Sequence, residues 1–161
     1  MPLELPVPHG TFDLTMDDGA LIRVRHHGNP DGVRIFLANG NGFAADGYLP
    51  FWGPLGERFE LVVFDFRNHG WNPPSDHGNH HYAQMARDVE CVFRETTAKL
   101  GEKTSVGIFH SMSARAAMKH AIEIGWCWDA LFLIDPDGKV AAIGLTADSA
   151  ANELERRFPE R

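Results

Sequence analysis

Residues 105–117 read SVGIFHSMSARAA, and this stretch decides the fold class. Residues 104–109 are typical of a short buried strand, and residues 112–124 have the small, alanine-rich composition of a helix. A single serine, Ser111, stands at the junction, with Ser113 and Ala114 after it. A sharp strand-to-helix turn needs such small neighbours, because the backbone packs closely around it. The sequence therefore predicts that Ser111 presents its hydroxyl at the edge of a sheet, beside the first amides of a helix.

Short apolar runs on both sides of this junction predict the rest of the sheet. We predict strands at residues 11–15, 21–25, 33–38, 61–66, 104–109 and 130–134, of which the first two form a hairpin. Helices are predicted at residues 82–100, with Asn79 as the N-cap, and at residues 112–124. Strands that alternate with helices indicate parallel crossover units. The predicted fold class is therefore α/β, with three α/β/α layers and a mostly parallel sheet that begins with an antiparallel hairpin.

Length and composition limit the classes of protein to consider. A chain of 161 residues, 43% hydrophobic and 23% charged, fits one globular domain. The net charge of −7 argues against a nucleic-acid partner, and no apolar run is long enough for a membrane span. Residues 1–10 lack the pattern of a secretory signal, and Cys91 and Cys127 do not suggest a disulfide framework. The cytoplasm is therefore the expected compartment.

Three segments resemble motifs of the α/β-hydrolase family, in the order and spacing of that family. FHSMS at residues 109–113 resembles Gly-x-Ser-x-Gly, with Phe109 and Ser113 in place of the two glycines. LANGNGF at residues 37–43 resembles the family's His-Gly loop, with Asn39 in place of the histidine. DFRNHGWN at residues 65–72 resembles Asp-x-Arg-Gly-His-Gly-x-Ser, with asparagines at the fourth and eighth positions. The resemblance covers about residues 10–135.

This resemblance implies a serine hydrolase that acts on a small-molecule ester or related acyl substrate and needs no cofactor. Ser111 would be the nucleophile, and the backbone amides of Asn41 and Met112, with Gly40 beside them, would bind the oxyanion. Asp135 ends the last predicted strand and is the candidate catalytic acid, although Asp-Pro is equally typical of a strand-ending turn. The adjacent histidine pairs lack the i, i+4 spacing of a helical zinc site, so no metal is predicted.

A catalytic histidine is the part of the triad that the sequence does not supply. In this family it follows the acid in chain order, and the only histidine after Ser111 is His120. His120 lies about 12–14 Å along the same helix, too far for proton transfer, and we expect it on the helix surface. His69 follows a strand about 10 Å away, unless a loop brings it closer. We therefore expect a truncated hydrolase core, either active through an unidentified base or inert and binding a ligand or partner.

Ser111 and the aromatic residues of the predicted loops also have ordinary structural interpretations. A serine after a strand commonly caps the helix that follows it. The aromatic residues either line an acyl pocket or belong to the core, and core positions are favoured; they are Phe43, Tyr48, Trp52 and Trp71.

The C-terminal segment departs from the family after the core of residues 1–135. We predict a hairpin strand at residues 139–145 and a helix at residues 148–158, both packing on the same domain. LIDPDGKVAAIGL at residues 133–145 resembles the last hairpin of thioredoxin-like peroxidases, the peroxiredoxins, which suggests a truncated, fused or designed end. Unless this segment covers the last strand, the open sheet edge allows two copies to form a homodimer.

A dinucleotide-binding domain is a further alternative. GNGFAA at residues 40–45 fits the G-x-G-x-x-A fingerprint, and Asp65 ends the next strand, where a ribose-binding acid falls. The fingerprint needs a long helix that begins at the glycine loop, however, and Gly47 and Pro50 interrupt one there. The preceding hairpin also does not belong to that fold.

Overall fold

The computed structural model describes residues 4–134 and, for the backbone, residues 140–144. Seven strands form one sheet: β1 (Gly10–Thr15), β2 (Leu21–Gly28), β3 (Arg34–Ala38), β4 (Glu60–Phe64), β5 (Ser105–His110), β6 (Ala130–Ile134) and β7 (Val140–Gly144). The α-helices are α1 (Leu49–Trp52), α2 (Tyr82–Leu100) and α3 (Met112–Glu123). Short 3₁₀ turns flank α1 at Ala45–Tyr48 and Pro54–Glu57, and a third precedes α2 at His77–Asn79.

The strands follow the order β1-β2-β4-β3-β5-β6-β7 across the sheet. The four central strands, β4, β3, β5 and β6, run parallel, whereas β1, β2 and β7 pair antiparallel with their neighbours. The prediction of a mixed sheet with parallel central strands and an N-terminal hairpin is therefore confirmed. Since β3 lies between β4 and β5, the loops that follow these three parallel strands leave the same edge of the sheet.

Side chains that alternate along the central strands fill two hydrophobic cores, one on each face of the sheet. On one face, Phe36 of β3 and Phe109 of β5 pack with residues of α2 and α3. On the other, Ile35 and Leu37 of β3 pack with Trp52 of α1. This division produces the predicted three layers, because a parallel sheet has to bury both of its faces.

Helix α2 begins and ends with two different caps. His81, not the predicted Asn79, is the N-cap: its Nδ1 accepts a hydrogen bond from the Gln84 N–H at 3.2 Å. The Asn79 side chain instead donates to Asp18 at 2.9 Å and so ties the turn before α2 to the hairpin. Gly101 ends the helix with φ +88°, a conformation that favours glycine.

Helix α3 packs against α2 through small residues and a histidine. His120 is fully buried, and its Nε2 lies 2.7 Å from Oε2 of Glu90 on α2. The expectation of a surface position for His120 was therefore wrong. The hydrogen bond to the Glu90 carboxylate on the neighbouring helix offsets the free-energy cost of burying this polar ring.

Strand β7 lies at one edge of the sheet and pairs antiparallel with β6, with a register shift at Leu133/Ile134. It confirms the strand predicted at residues 139–145. Asp135 and the predicted helix at residues 148–158 lie outside the described residues, and the division of the chain at residue 135 stays a prediction. Among the described helices, none has the length and apolar character needed to cross a membrane.

Candidate active site

Ser111 occupies the junction between β5 and α3 and belongs to neither element. Its backbone has φ +55° and ψ −112°, a conformation that residues other than glycine rarely adopt. Two hydrogen bonds hold it there: the Ser111 N–H donates to the Ile134 carbonyl at 2.9 Å, and the Ser111 carbonyl accepts from Arg115 N–H at 3.1 Å. The turn therefore stores strain of about 1–3 kcal/mol, which the surrounding strands and helix sustain.

The Ser111 hydroxyl does not serve as a helix cap. Although Ser111 is the N-cap residue by position, its side chain makes no capping hydrogen bond. The buried hydroxyl of Ser113 stabilises the turn instead, because it accepts from the His110 N–H at 2.9 Å and lies 3.0 Å from the His110 carbonyl. Ser111 is thus a half-buried serine whose hydroxyl bonds to no other described residue.

Several backbone amides lie at the same sheet edge as Ser111. Ala38, the last residue of β3, pairs with Phe109 of β5, so the loop that follows β3 lies beside the Ser111 turn. Within the described part of the chain, the N–H groups of Asn41 and Met112 have no acceptor. The Gly40 N–H, by contrast, donates to the Tyr48 hydroxyl at 3.1 Å.

Asn39 organises the loop after β3 from inside. Its fully buried side-chain amide donates to the carbonyls of Gly40 and Phe43, at 3.0 and 2.7 Å. Its side-chain oxygen accepts from the Phe66 N–H at 2.8 Å, in the segment that follows β4. One asparagine therefore winds residues 39–43 into a compact turn and joins it to the neighbouring loop.

Phe109 fits the strand before Ser111 because a glycine lies two residues earlier. Phe109 is fully buried and contacts Phe64 and Trp128 edge-on. A Cβ atom at Gly107 would lie 2.7 Å from the Phe109 ring and 2.8 Å from a Leu131 methyl group. The space that Gly107 leaves thus accommodates the large side chain at position 109.

Asp65 joins the loops after β3 and β4 and is not available to a ligand. Its carboxylate is buried and accepts from the Ala45 N–H at 2.6 Å and from the Trp71 N–H at 3.3 Å. The dinucleotide interpretation needs a free acid at this position and a long helix after the glycine loop. Helix α1 has four residues, so neither requirement is met.

Arg67, in the loop after β4, forms a buried ion-pair cluster that the sequence did not predict. Its guanidinium is bidentate to Asp88 of α2, at 2.7 Å to each oxygen, and also bonds Asp18 of the first hairpin at 2.6 Å. The hydrogen bond to Arg67 lowers the pKa of Asp18 to about 2, whereas burial raises the pKa of Asp88. The cluster fixes the loop after β4 between the hairpin and α2.

The aromatic residues near the loops divide between the core and the surface. Trp52 is buried and its indole N–H donates to the Ala45 carbonyl at 2.8 Å. Phe43 is 61% exposed and Trp71 is 41% exposed, so these two are not core residues. Trp71 stacks on the Arg25 guanidinium, with 4.7 Å between the Arg25 Cζ and the ring centroid.

An apolar cavity of about 270 Å³ lies on the α1 side of the sheet. Tyr48 and Trp52 contribute to its wall from the α1 segment, and Ile108, His110 and Ile134 contribute from β5 and β6. Its polar end is the pair His110 Nδ1 and Tyr48 hydroxyl, 2.8 Å apart. The strands that hold Ser111 therefore also line this cavity, which is close in size to a small ligand pocket.

The structure does not bring a histidine into hydrogen-bonding contact with the Ser111 side chain among the described residues. His110 bonds Tyr48, His120 bonds Glu90 on the far side of α3, and His69 accepts from the Gly42 N–H at 3.2 Å. Asp135 follows directly on the last residue of β6 but is outside the described residues. No group of three or more His, Cys, Asp or Glu side chains forms a metal-binding cluster in the part of the chain described.

Comparison with known proteins places the chain beside a large class of enzymes. The model of the Alpha/beta hydrolase family matches residues 35–161. The esterase EaEST from Exiguobacterium antarcticum superposes with a TM-score of 0.65 and 19% identity, covering 76% of this chain and 44% of that one. The esterase RhEst1 from Rhodococcus sp. ECU1013 gives a TM-score of 0.66 and 20% identity, covering 77% and 45%. The epoxide hydrolase CorEH gives 0.63 and 21%, covering 78% and 42%.

At these identities the structural likeness shows a shared fold. The chain spans less than half of the length of these solved structures. What the esterases and the epoxide hydrolase act on is therefore a property of those proteins, and it bears on this chain only as a source of hypotheses.

Proposed function

Since this chain belongs to the alpha/beta hydrolase family, we propose that it uses Ser111 as the nucleophile of a serine hydrolase that acts on small ester or related acyl substrates. The observation that carries this proposal is the backbone of Ser111 at φ +55°, with a hydroxyl that neither caps α3 nor bonds another described residue. A strained turn that holds an uncommitted hydroxyl between a strand and a helix is the arrangement of a nucleophile elbow.

The proposed acylation step uses the amides that the fold leaves without acceptors. The Ser111 oxygen bonds to the substrate carbonyl carbon, its proton passes to a base, and the carbonyl oxygen becomes an oxyanion. The N–H groups of Met112 and Asn41 stabilise this oxyanion, supported by the N-terminus of the twelve-residue helix α3. We leave Gly40 out of this proposed oxyanion hole because its N–H already donates to Tyr48. The carbon–oxygen bond to the leaving alcohol then breaks, and water hydrolyses the acyl-enzyme.

The proposal assigns a residue to the catalytic acid but none to the catalytic base. Asp135 is the proposed acid, because it directly follows in sequence Ile134, the last residue of β6, whose carbonyl accepts from the Ser111 N–H. Among the described residues, no histidine side chain bonds Ser111: His110 bonds Tyr48, and His120 is buried against Glu90. Without a positioned base, oxyanion stabilisation and binding alone sustain only slow catalysis. We therefore expect acylation of Ser111 to be measurable with activated reagents, and turnover of ordinary esters to be slow.

The apolar cavity beside the site favours an apolar acyl group. Among the described residues, its wall consists mainly of aliphatic and aromatic side chains without a charged group, and its polar end is the His110–Tyr48 pair. A cavity of about 270 Å³ limits the buried part of a substrate to a short chain or a single ring.

A fluorophosphonate probe followed by intact-mass spectrometry tests the proposal directly. We expect one adduct per chain, located on Ser111 by peptide mapping and absent from the Ser111→Ala variant. The control variant is Ser75→Ala, a loop serine whose hydroxyl lies 3.3 Å from the Asn68 side-chain oxygen, and it should label like the unmodified protein. Native labelling should be at least about 100-fold faster than labelling in urea, the size of effect that one oxyanion donor produces. Equal rates in the two conditions would refute a functional nucleophile and favour an inert ligand-binding domain.

A further inference from the structure

His69 connects two loops at the sheet edge through both of its ring nitrogens. Nδ1 lies 2.9 Å from the Arg67 carbonyl, and Nε2 lies 3.2 Å from the Gly42 amide nitrogen. A carbonyl oxygen only accepts and a backbone amide only donates, so Nδ1 carries the proton and Nε2 is the acceptor. The contacts therefore select the neutral ring in a single tautomer, which doubly protonated histidine cannot reproduce.

The bond from His69 reaches the residue next to the proposed oxyanion donor Asn41. Gly42 has φ +77°, and a hypothetical Cβ at this position would have no neighbour within 4 Å. Asn39 holds the first and last residues of this loop through their carbonyls. The Gly42 N–H to His69 bond is the hydrogen bond that fixes the middle of the loop relative to the segment after β4.

The His69 ring also packs against another histidine. His80 stacks on it with ring centroids 5.6 Å apart and an angle of 27°. Burial lowers the pKa of His80, and His69, His77 and Arg67 lower it further, while Asp88 opposes them. This stacking is the part of the His69 environment that an aromatic ring at position 69 would keep.

We propose that His69 is a positioning residue that holds the Asn39–Phe43 loop, and with it the Asn41 amide, through the Gly42 N–H to Nε2 hydrogen bond. The inference rests on the proposed function in one respect, the role of the Asn41 amide as an oxyanion donor. The loop is fixed while His69 is neutral. Protonation places a second N–H opposite the Gly42 amide, which breaks the bond and releases the loop.

Two substitutions at position 69 test the hydrogen-bond acceptor and the aromatic ring separately. His69→Gln keeps an acceptor near the position of Nε2 and does not titrate, because the glutamine side chain reaches about as far as the distal nitrogen of the imidazole. His69→Phe keeps an aromatic ring for stacking on His80 and removes the acceptor. The two variants differ in whether residue 69 can accept the hydrogen bond from Gly42, and each keeps part of the packing around this position. A general loss of stability would affect both variants, so it does not produce the predicted difference between them.

The first measurement is the Gly42 amide in ¹⁵N NMR spectra and its hydrogen exchange, which need no catalytic activity. In the unmodified protein, we expect the Gly42 amide at neutral pH to exchange more slowly than an unstructured amide at the same pH. In the His69→Phe variant, exchange at the same pH should be at least tenfold faster, and in His69→Gln it should stay within about threefold of the unmodified protein. A Gly42 amide that is indifferent to His69→Phe overturns the inference.

The second measurement is the rate of Ser111 acylation by a chromogenic ester at neutral pH, as a function of ester concentration. We expect His69→Phe to lower the maximal acylation rate about ten- to hundredfold with little change in apparent substrate affinity, since only oxyanion stabilisation is affected. His69→Gln, which keeps the acceptor, should restore most of the rate. If Gly42 responds as predicted but Ser111 never acylates, the positioning role stands and the proposed hydrolase function fails. If acylation is unaffected by His69→Phe, the positioning role in catalysis is refuted.

Discussion

Replacing Ser111 by glycine should stabilise the fold while abolishing acylation. The residue adopts φ +55° and ψ −112°, which costs an L-residue about 1–3 kcal/mol and costs glycine almost nothing. Glycine loses about 0.5–1 kcal/mol through its freer unfolded chain. The difference predicts that Ser111→Gly is more stable than Ser111→Ala by about 1–2 kcal/mol, because both variants lack the hydroxyl and only alanine retains the strained backbone.

An exposed site within a regular helix provides the matched control. Arg94 lies within α2, with its side chain 65% exposed and, in the part of the chain that the structure describes, paired with Glu95 alone. At this position the order should be reversed, with Arg94→Gly less stable than Arg94→Ala by about 1 kcal/mol. At each site, both variants lack the original side chain. Comparing glycine with alanine therefore cancels the effect of its removal on the free energy of unfolding.

Urea unfolding followed by circular dichroism measures all four variants, with the free energy of unfolding taken at a common slope against urea concentration. For a chain of this size, 1–2 kcal/mol corresponds to a shift of several degrees in Tm. If Ser111→Gly proves less stable than Ser111→Ala by the same amount as at position 94, the backbone at Ser111 stores no strain, and the argument for an elbow loses its basis.

Three further predictions concern the packing and charges around the site. Gly107→Ala should cost about 1–3 kcal/mol in urea unfolding, since its Cβ would lie 2.7 Å from the Phe109 ring, and the cost should fall by at least about 1 kcal/mol in a Phe109→Ala background. Asp88→Ala should lower the free energy of unfolding by about 3–5 kcal/mol, because the fully buried Arg67 then keeps only the partly exposed Asp18 as a partner among the described residues. A loss below about 1 kcal/mol would contradict a buried ion-pair cluster. Burial lowers the pKa of His27 to about 4, so its neutral form is favoured on folding and stability falls as pH drops from 6.5 to 4, by about 3 kcal/mol between pH 7 and pH 4. His27→Leu should remove that part of the pH dependence in urea titrations, and an unchanged dependence would assign it to other groups.

The order and type of the strands could be read from the sequence because each central strand is a short apolar run. β6 begins and ends where predicted, and β3, β4 and β5 differ from their predicted bounds by one or two residues. Burial on both faces makes such runs continuous, and the glycine and asparagine turns after them mark their ends. The fold was therefore determined by local patterns that recur at regular intervals along the chain.

The polar contacts of the site could not be read in the same way. Tyr48 and His110 are 62 residues apart, and Gly42 and His69 are 27 apart, so neither contact has a local signal. The position of His120 did have one: it lies three and four residues from the buried Ala117 and Ala116, on the same face of α3. The prediction of a surface position gave the polarity of histidine more weight than the helical period. The hydrogen bond to Glu90, 30 residues away in the sequence, stabilises the buried ring.

At two positions the sequence has an asparagine where the family motif has another residue. Each asparagine supplies the geometry that the family residue would provide. Asn68 stands where the family has glycine and adopts φ +63°, which asparagine tolerates better than other side chains. Its side-chain oxygen then accepts from the Ser75 N–H at 2.7 Å and orders the loop. Asn39, in place of histidine, bonds three backbone groups of two loops.

The two departures beside Ser111 are compensated by its immediate neighbours. Phe109 stands at a glycine position and fits because Gly107 has no side chain, and Ser113 stands at the other and satisfies the His110 amide with its hydroxyl. Both departures from the motif are therefore accommodated locally, and the turn at Ser111 is kept. This accommodation also predicts that Phe109→Gly, which restores the family residue, destabilises the chain, because the core around Trp128 has been built to include the ring.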